Sequence, residues 1–311
     1  MTSVLVFFLD GIGLGNTDAE VNPFVQAQLP NINKLLGQQM LTSQAAPYHG
    51  LQASLIALDA NLGLPGAPQS ASGQAALLTG RNIAQEIGGH YGPKPNPEIA
   101  GILHSDNIFM QVVAEGGKTA LLNAYPPGYF QGIESGRRLY SAIPLALNAA
   151  GIPLMTADDL QQGNALSVDF TGEIWSAQPG FPRAPIYTYE QAGTLLAKLS
   201  LRYDLAWFDF WPSDYAGHRR KMDQAVELLE SFDAVFGALV DAWDSTNDLI
   251  LLTSDHGNLE DLSQRKHTRN PVPCILIGPE TTRKKLATRL SDLTDVAPAI
   301  RHVLELPDPK V

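Results

Sequence analysis

Six residues of metal-binding type stand beside short apolar runs of the sequence: Asp10, Asp214, His218, Asp255, His256 and His267. Carboxylates neutralise divalent charge, and imidazoles favour zinc or manganese over magnesium and calcium. Three or four ligands per ion leave a position open for a substrate. Two ions about 4 Å apart can hold both the attacking and the leaving oxygen of a phosphoryl transfer. The residue types therefore predict a metal site that binds phosphate.

A nucleophile is available in the flexible loop of residues 63–74, which leads into a helix-like segment ending near Arg81. A serine at the start of a helix lies near free backbone N–H groups and the positive end of the helix dipole, which favours a bound phosphate. Ser70 and Ser72 both qualify. Either serine can instead cap the helix, which is the commonest role of serine in that position.

The candidate ligands lie next to runs of apolar residues in which apolar and polar residues do not alternate. Such runs, bounded by Gly, Pro and Asp, are typical of strands buried on both faces of a parallel sheet. The predicted strands are Val4–Leu9, Leu205–Phe210, Leu249–Leu252 and Val272–Ile277. Ligands bind outside the carboxyl ends of parallel strands, so we expect all six residues at one edge of the sheet.

Segments with helical spacing lie between these runs. They are Asn107–Glu115, Ser141–Ala150, Tyr189–Leu199, Met222–Trp243 and Leu293–Leu306. Strands that alternate with helices predict an α/β doubly wound fold, with a mostly parallel sheet and helices on both faces. We expect one domain over residues 1–311.

Composition excludes several classes of protein. Of 311 residues, 44% are hydrophobic and 17% charged, which is unlike a disordered chain. Acidic residues outnumber basic ones 32 to 21, so nucleic acid and anionic membranes are not expected partners. The single cysteine, Cys274, cannot form an intramolecular disulfide. Val4–Leu9 is too short to span a bilayer and lacks signal-peptide flanks, so we expect a cytoplasmic protein.

Residues 125–185 do not fit the alternation of strands and helices. This segment is rich in Gly, Pro and aromatic residues, and Ser141–Ala150 is its one predicted helix. Long irregular segments in compact domains are often lids or binding loops. Two interpretations of this segment stay open: it is an irregular lid or cap over the site, or it is an ordered surface segment without a functional role.

The order of these residues resembles the alkaline phosphatase superfamily, in particular the metalloenzyme branch that holds cofactor-independent phosphoglycerate mutase and phosphopentomutase. The stretch His267-Thr268-Arg269-Asn270-Pro271-Val272-Pro273 is similar to the histidine motif of the mutase, and Asp255-His256-Gly257-Asn258 matches its aspartate-histidine motif. The resemblance covers about residues 1–120 and 190–311. It implies an alkaline phosphatase-like fold and two divalent metal ions, zinc or manganese.

The resemblance also assigns roles to single residues. In the mutase a glycine follows the nucleophilic serine by three positions and Gly-Arg follows at ten and eleven, which selects Ser70, with Gly73, Gly80 and Arg81, over Ser72. One ion would then be held by Asp214, His218 and His267. The other would be held by Asp10, Asp255, His256 and Ser70. Weaker candidates for substrate contact are Arg81, His90 and Asn258.

Two departures from the mutase pattern affect the expected function. Gln74 stands where the mutase has a histidine, and the interval between Ser70 and Asp214 leaves room for a lid of about 60 residues rather than a second domain. A short lid favours release of the product and attack by water. We therefore expect a phosphohydrolase that cleaves a small phosphomonoester or phosphodiester through a phosphoserine. The alternatives are a small phosphomutase and a catalytically silent module that binds metal or phosphate.

Overall fold

The computed structural model describes residues 2–307. Its strands are β1 (Val4–Leu9), β2 (Tyr48–His49), β3 (Ala53–Leu58), β4 (Thr119–Leu121), β5 (Ala124–Tyr125), β6 (Met155–Thr156), β7 (Leu205–Phe210), β8 (Leu249–Thr253) and β9 (Val272–Ile277). The helices before β7 are α1 (Pro23–Gln26), α2 (Pro30–Leu35), α3 (Ser70–Thr79), α4 (Ile83–Glu86), α5 (Pro97–Ser105), α6 (Ile108–Ala114), α7 (Pro127–Glu134), α8 (Ala142–Ala149), α9 (Ala157–Gln161), α10 (Glu173–Ala177) and α11 (Tyr189–Ser200). Those after β7 are α12 (Pro212–Arg219), α13 (Met222–Asp241), α14 (Glu280–Ala287) and α15 (Val296–Val303), and 3₁₀ turns lie at Ser43–Ala45 and Leu293–Asp295.

Seven strands form the central sheet, in the order β2-β3-β9-β8-β1-β7-β4. β1 lies between β7 and β8 and is parallel to both, and β4 is parallel to β7. β9 is antiparallel to β8 and to β3, and β2 is antiparallel to β3. The fold is therefore α/β with a mostly parallel sheet, as the sequence predicts.

Alternating side chains of β1 face two separate cores. Val4, Val6 and Phe8 pack into one core, which contains α3, α5, α6, α8 and α15. Leu5, Phe7 and Leu9 pack into the other, which contains α1, α2, α11 and α13. Burial on both faces explains why this strand is apolar throughout, and it places helices on both faces as expected. Among residues 2–307, no helix combines the length and the apolar character needed to cross a membrane.

The direction of β9 brings His267 to the ligand-bearing edge. His267 precedes its strand, whereas Asp10, Asp214 and Asp255 follow theirs. If β9 were parallel to β8, its start would lie at the opposite edge. Because β9 runs antiparallel, its first residue, Val272, lies near the carboxyl end of β8.

Residues 125–185 contain more regular structure than their composition suggests. The predicted helix Ser141–Ala150 is present as α8, with Ser141 as its N-cap residue. The segment also holds α7, α9 and α10, each of eight residues or fewer, and β6, which pairs with β5 in a separate two-stranded sheet. That this segment acts as a lid stays a prediction.

Candidate metal centre

Three of the predicted ligands form a cluster at the carboxyl edge of the sheet, in which Asp255 and His256 are buried and Asp10 is partly buried. The Nε2 atom of His256 lies 3.5 Å from Oδ1 of Asp10 and 3.6 Å from Oδ2 of Asp255. The same nitrogen lies 3.0 Å from Oγ of Ser70. We call Asp10, Asp255 and His256 the inner group. Ser70 therefore contacts the inner group directly.

Asp214, His218 and His267 form a second cluster, which we call the outer group. Oδ2 of Asp214 lies 3.3 Å from Nε2 of His218, and Oδ1 lies 3.6 Å from Nε2 of His267. The two Nε2 atoms are 3.3 Å apart. The structure therefore brings all seven residues of the predicted ligand sets into one site.

The inner and outer groups adjoin through two histidines. The rings of His256 and His267 stack with their centroids 3.7 Å apart. Ligand atoms of Asp214, His256 and His267 lie within 4.8 Å of one another, as do those of Asp10, Asp255 and His256. His256 thus belongs to both sets of mutually close ligand atoms and links the two halves of the site.

Two glycines allow the chain to pack this closely. Gly11, directly after Asp10, has a φ of +70°, and a Cβ atom there would lie 2.6 Å from Oδ1 of Asp214. A Cβ atom on Gly73, in the first turn of α3, would lie 2.9 Å from the backbone oxygen of Asp255. Larger residues at these two positions would separate the nucleophile and the ligands.

Helix α12 presents two outer ligands on one face. Asp214 lies in its first turn and His218 four residues later, so both side chains point the same way. The amide of Asn258 donates hydrogen bonds to Asp214, at 2.6 Å to Oδ1 and 3.1 Å to the backbone oxygen. Asn258, predicted as a weak substrate contact, therefore orients Asp214 in this structure.

Without a bound cation, ionisation of the two inner carboxylates, Asp10 and Asp255, is unfavourable. Burial raises the pKa of Asp255 to about 7. Burial also raises the pKa of Asp10 well above its ordinary value, and the charges of Asp255 and Asp214 add to this effect. Burial, and next the charge of His267, lower the pKa of His256 to about 3. At neutral pH the His256 ring is neutral, the form in which imidazole binds metals.

Hydrogen bonds to backbone carbonyls fix the orientation of the two outer imidazoles. Nδ1 of His267 donates to the oxygen of Pro68 at 2.8 Å, and Nδ1 of His218 donates to that of Arg265 at 3.3 Å. In a neutral ring this leaves Nε2 as an acceptor. Both acceptor nitrogens then face each other and Asp214, an arrangement that a cation stabilises.

These observations fit a divalent metal site. In the outer group, the Nε2 atoms of His218 and His267 lie 3.3 Å apart and both face the carboxylate of Asp214. In the inner group, Oδ1 of Asp10 is buried and has no hydrogen-bond partner within residues 2–307. Buried acceptors and carboxylates without partners are costly unless a cation satisfies them. Mixed carboxylate and imidazole ligands are those that zinc and manganese accept.

Ser70 occupies the first position of α3, and Gln69 precedes it as the N-cap residue. The Oγ of Ser72 donates to the oxygen of Gln69 at 3.2 Å and accepts from the backbone N–H of Tyr91 at 3.0 Å. Ser72 is therefore occupied by backbone groups, whereas Ser70 faces the ligands.

Glu260, which no sequence motif indicated, organises the loop between β8 and β9. Its buried carboxylate accepts hydrogen bonds from the backbone N–H of Gly13 at 2.9 Å and of Asn258 at 2.8 Å. It also accepts from Oγ1 of Thr268 and, at 3.0 Å, from the amide of Asn270. The only sign of this role in the sequence is that an acidic residue, Glu260, lies between the aspartate-histidine motif and the histidine motif.

Gln74 fills the position where a mutase-type histidine is missing. Its amide nitrogen donates to Oδ2 of Asp255 at 3.1 Å and lies 3.5 Å from Oδ2 of Asp10. The side chain thus holds the two inner carboxylates together. In this structure Gln74 therefore contacts two predicted metal ligands, Asp10 and Asp255.

Two weaker candidates lie away from the ligands. Arg81 follows the carboxyl end of α3, whereas Ser70 begins that helix, and its guanidinium pairs with Glu86. The ten residues of α3 span about 15 Å along the helix axis, and contact of Arg81 with a phosphate stays a prediction. His90 lies beside Gly66 and is not among the residues that line the cavity at Ser70.

A cavity of about 510 Å³ opens onto the outer group. Its lining residues are Ala67, Gln69, Ser70, Pro93, Asp214, His218, Lys266 and His267. The cavity thus joins the proposed nucleophile to the outer ligands, and its volume suits a small phosphorylated molecule.

The fold is similar to that of alkaline phosphatases, and part of the chain is similar to a family of metalloenzymes. The family model of the Metalloenzyme superfamily matches residues 186–308, which include five of the seven predicted ligands. Alkaline phosphatase from the Antarctic bacterium TAB5 is similar in fold, with a TM-score of 0.55, 12% identity and coverage of 98% of both chains. The predicted resemblance is confirmed.

The named relatives in sequence are mutases. The 2,3-bisphosphoglycerate-independent phosphoglycerate mutase of Syntrophotalea carbinolica is 36% identical over 114 residues, which are 35% of this chain and 22% of that protein. Leishmania mexicana phosphoglycerate mutase has a similar fold, with a TM-score of 0.51, 13% identity and coverage of 99% of this chain and 96% of that one. The sequence match thus spans about a fifth of that curated relative, and these names support the mutase alternative better than the expected hydrolase.

Proposed function

We propose that this protein is a two-metal phosphoryl-transfer enzyme that acts on a small phosphomonoester through a phosphoserine at Ser70. The observation that carries the proposal is the contact between Ser70 and the inner group at the wall of the cavity. A silent module would have no need of a serine hydroxyl among seven converging ligand residues.

The inner group and Ser70 would hold one divalent ion, and the outer group the other. When bound, the two ions would supply the positive charge that neutralises the phosphate and favours the serine alkoxide. Position 1 of α3 places Ser70 where the helix dipole also favours negative charge. Its oxygen would attack phosphorus in line with the leaving oxygen, forming the Ser70 Oγ–P bond as the ester P–O bond breaks.

The phosphoserine then has two possible acceptors, and a different observation supports each one. The names of the sequence relatives support return of the phosphoryl group to another hydroxyl of the same substrate, which is a phosphomutase reaction. The exposure of the outer group supports attack by water, since the side chain of His218 is 46% exposed. We place the mutase first and the phosphohydrolase second.

Trapping and product analysis test this proposal. The manganese- or zinc-loaded protein is incubated with a panel of phosphomonoesters, quenched in acid and examined by mass spectrometry for phosphate on Ser70. Rearranged phosphomonoester without free phosphate would support the mutase, and stoichiometric inorganic phosphate would support the hydrolase. Absence of phosphoserine and of both products across the panel would overturn the proposal in favour of a silent module.

A further inference from the structure

A second cavity, of about 590 Å³, lies at the edge of the sheet opposite the metal centre. It is lined by Leu249, the first residue of β8, by Thr2, which precedes β1, and by Pro279, which follows the antiparallel β9. The five residues of β8 span about 16 Å, and the two cavities share no lining residue. The proposed function therefore gives this second cavity no role.

Hydrogen-bonded main chain forms one wall of this cavity. The backbone N–H of Ser3 donates to Oδ1 of Asp248 at 2.7 Å, and the N–H of Leu249 donates to the backbone oxygen of Ser3 at 2.9 Å. The buried Arg283 donates from Nε to the oxygen of Gly278 at 2.9 Å, which fixes the turn from β9 into α14. These contacts hold the cavity open in the folded chain without any ligand.

Hydrogen-bond donors from two helices line the cavity. Helix α14 contributes the hydroxyls of Thr281 and Thr282 and the ammonium of Lys285, and α15 contributes the imidazole of His302. None of these four side chains makes a hydrogen bond or ion pair with another residue of the range 2–307. Four donors without protein partners around one cavity favour a ligand that accepts hydrogen bonds.

Two adjacent lysines of α14 differ in their surroundings. The ammonium of Lys284 pairs with Glu280, one helical turn earlier, at 2.5 Å. Lys285 instead lines the cavity and has no carboxylate partner in the described part of the chain. Glu305, which is exposed, is the one acidic residue of the lining. The free ammonium therefore gives this cavity a place for negative charge.

The imidazole of His302 faces like charges. Desolvation lowers the pKa of His302, and the charges of Lys285 and Arg289 lower it further, whereas Glu305 raises it with a smaller effect. The ring is therefore neutral at pH 7 and can donate one hydrogen bond while Lys285 supplies the charge. Four of the 21 basic residues fall within residues 283–289, although the chain as a whole is acidic. This local excess of positive charge attracts anions.

We propose that this second cavity binds a small organic phosphate, whose phosphate group is held by Lys285, His302, Thr281 and Thr282. Ammonium, imidazole and hydroxyl groups all donate hydrogen bonds to phosphate oxygens, and the bond from the ammonium is strengthened by its charge. The organic part would contact the apolar residues of the lining, which are Leu249, Pro279, Val303 and Leu306. The volume suits a ligand of nucleotide size. This inference goes beyond the proposed function and does not depend on it.

Lysine acetylation tests binding at this cavity even if the probe also enters the metal centre. The manganese-loaded Ser70→Ala protein, in which turnover is prevented, is acetylated briefly with and without adenosine 5′-monophosphate or ribose 5-phosphate. Mass spectrometry follows each lysine. A phosphate probe at ten times its Kd should slow acetylation of the exposed Lys285 about tenfold and leave that of Lys284 unchanged. Adenosine and citrate, tested at the same concentrations, should protect neither lysine.

Charge-removing variants identify the group responsible. The imidazole resonances of His302, assigned by their loss in His302→Asn, report binding at this cavity in an NMR titration. Lys285→Gln should weaken binding of the phosphate probe about tenfold, because a charge-assisted hydrogen bond is lost. Lys284→Gln is the matched control, since it removes the same charge from the adjacent position, and it should keep the affinity. Unchanged thermal unfolding of both variants shows that the fold is retained.

Several results would overturn this proposal. One is that neither phosphate probe protects Lys285 or shifts the resonances of His302. Another is that adenosine or citrate protects Lys285 as well as the phosphate probes do, because the phosphate group would then not be recognised. A third is that Lys285 is protected without any probe and becomes reactive when residues 308–311 are deleted, which would assign the cavity to the end of the chain. All three results leave the proposed function at the metal centre standing.

Discussion

The inner and outer groups use the same kinds of ligand but differ in their contact with solvent. Asp255 and His256 are fully buried, whereas the outer group lines the cavity. Burial moves the pKa values of Asp10, Asp255 and His256 far from their ordinary values. The inner group is therefore suited to a tightly held ion beside the nucleophile, and the outer group to an ion that meets substrate and water.

Removal of the nucleophile should have the largest effect, because Ser70 both contacts the inner group and lines the cavity. Ser70→Ala should lower kcat by about 10³-fold or more, since the covalent route is lost. Steady-state kinetics with the best substrate of the panel measures this effect, and unfolding experiments verify the fold. Ser72→Ala is the matched control and should keep most activity, with a loss of about 1–2 kcal/mol of stability from its two backbone hydrogen bonds. Comparable activity in Ser70→Ala and wild type would exclude Ser70 as the nucleophile.

Neutralising an inner carboxylate should have the next largest effect. Asp255→Asn removes a buried negative charge from the inner group, so the affinity for the inner ion should fall by at least about 100-fold while the outer ion is retained. Elemental analysis after dialysis against limiting metal should then give one ion per chain instead of two. Asp223→Asn, at an exposed position of α13, is the control and should retain both ions. Two tightly held ions in Asp255→Asn would refute the role of the inner group.

Loss of an outer ligand should have a smaller effect. His218→Gln removes a solvent-exposed imidazole, and we expect the outer ion to bind about 10–100-fold more weakly with the inner ion unaffected. Competition with a chromogenic chelator measures both affinities. His104→Gln, at an exposed position of α5, is the control and should release neither ion. If His218→Gln lost both ions equally, the two groups would be one cooperative site.

The smallest effect concerns stability and pH. In the metal-free protein the pKa of Asp255 is raised to about 7, so the folded state binds this proton more tightly than the unfolded state. The resulting stabilisation is present below the unfolded pKa and is lost as pH rises through about 7. The chelator-treated protein should therefore show a falling Tm between about pH 6.5 and 8, above the range in which an unfolded histidine takes up protons.

Two comparisons check this pH dependence. Bound metal favours the ionised carboxylate, so the metal-loaded protein should show no such fall. In Asp255→Asn the fall should be smaller, because one titrating group is absent. A metal-free Tm that rises over this pH range would contradict the unfavourable charging of the inner group.

Much of this arrangement could be predicted from the sequence because the central strands are continuous apolar runs. β1, β7 and β9 have the predicted bounds, and β8 extends one residue further, to Thr253. Ligands that follow parallel strands necessarily meet at one edge, so Asp10, Asp214 and Asp255 could be placed together. The pattern of apolar residues does not reveal strand direction, which only the sheet pairing of β9 supplies.

The errors have local causes. The helices α7, α9 and α10 are too short for helical periodicity to be seen, so residues 125–185 were expected to be irregular. The importance of Glu260 depends on contacts with four separate residues, which no linear motif shows.

The reversed direction of β9 also bears on the order in which the site assembles during folding. β8 and β9 are neighbours in both the chain and the sheet, so their pairing closes only the loop of residues 254–271, which carries Asp255, His256 and His267. Asp10 and Ser70 must arrive through contacts that span most of the chain, for which the cost in chain entropy is higher. We expect hydrogen exchange during refolding to protect the β8–β9 hairpin first, so that a nascent chain would present imidazole and carboxylate ligands to metal before its nucleophile is in place.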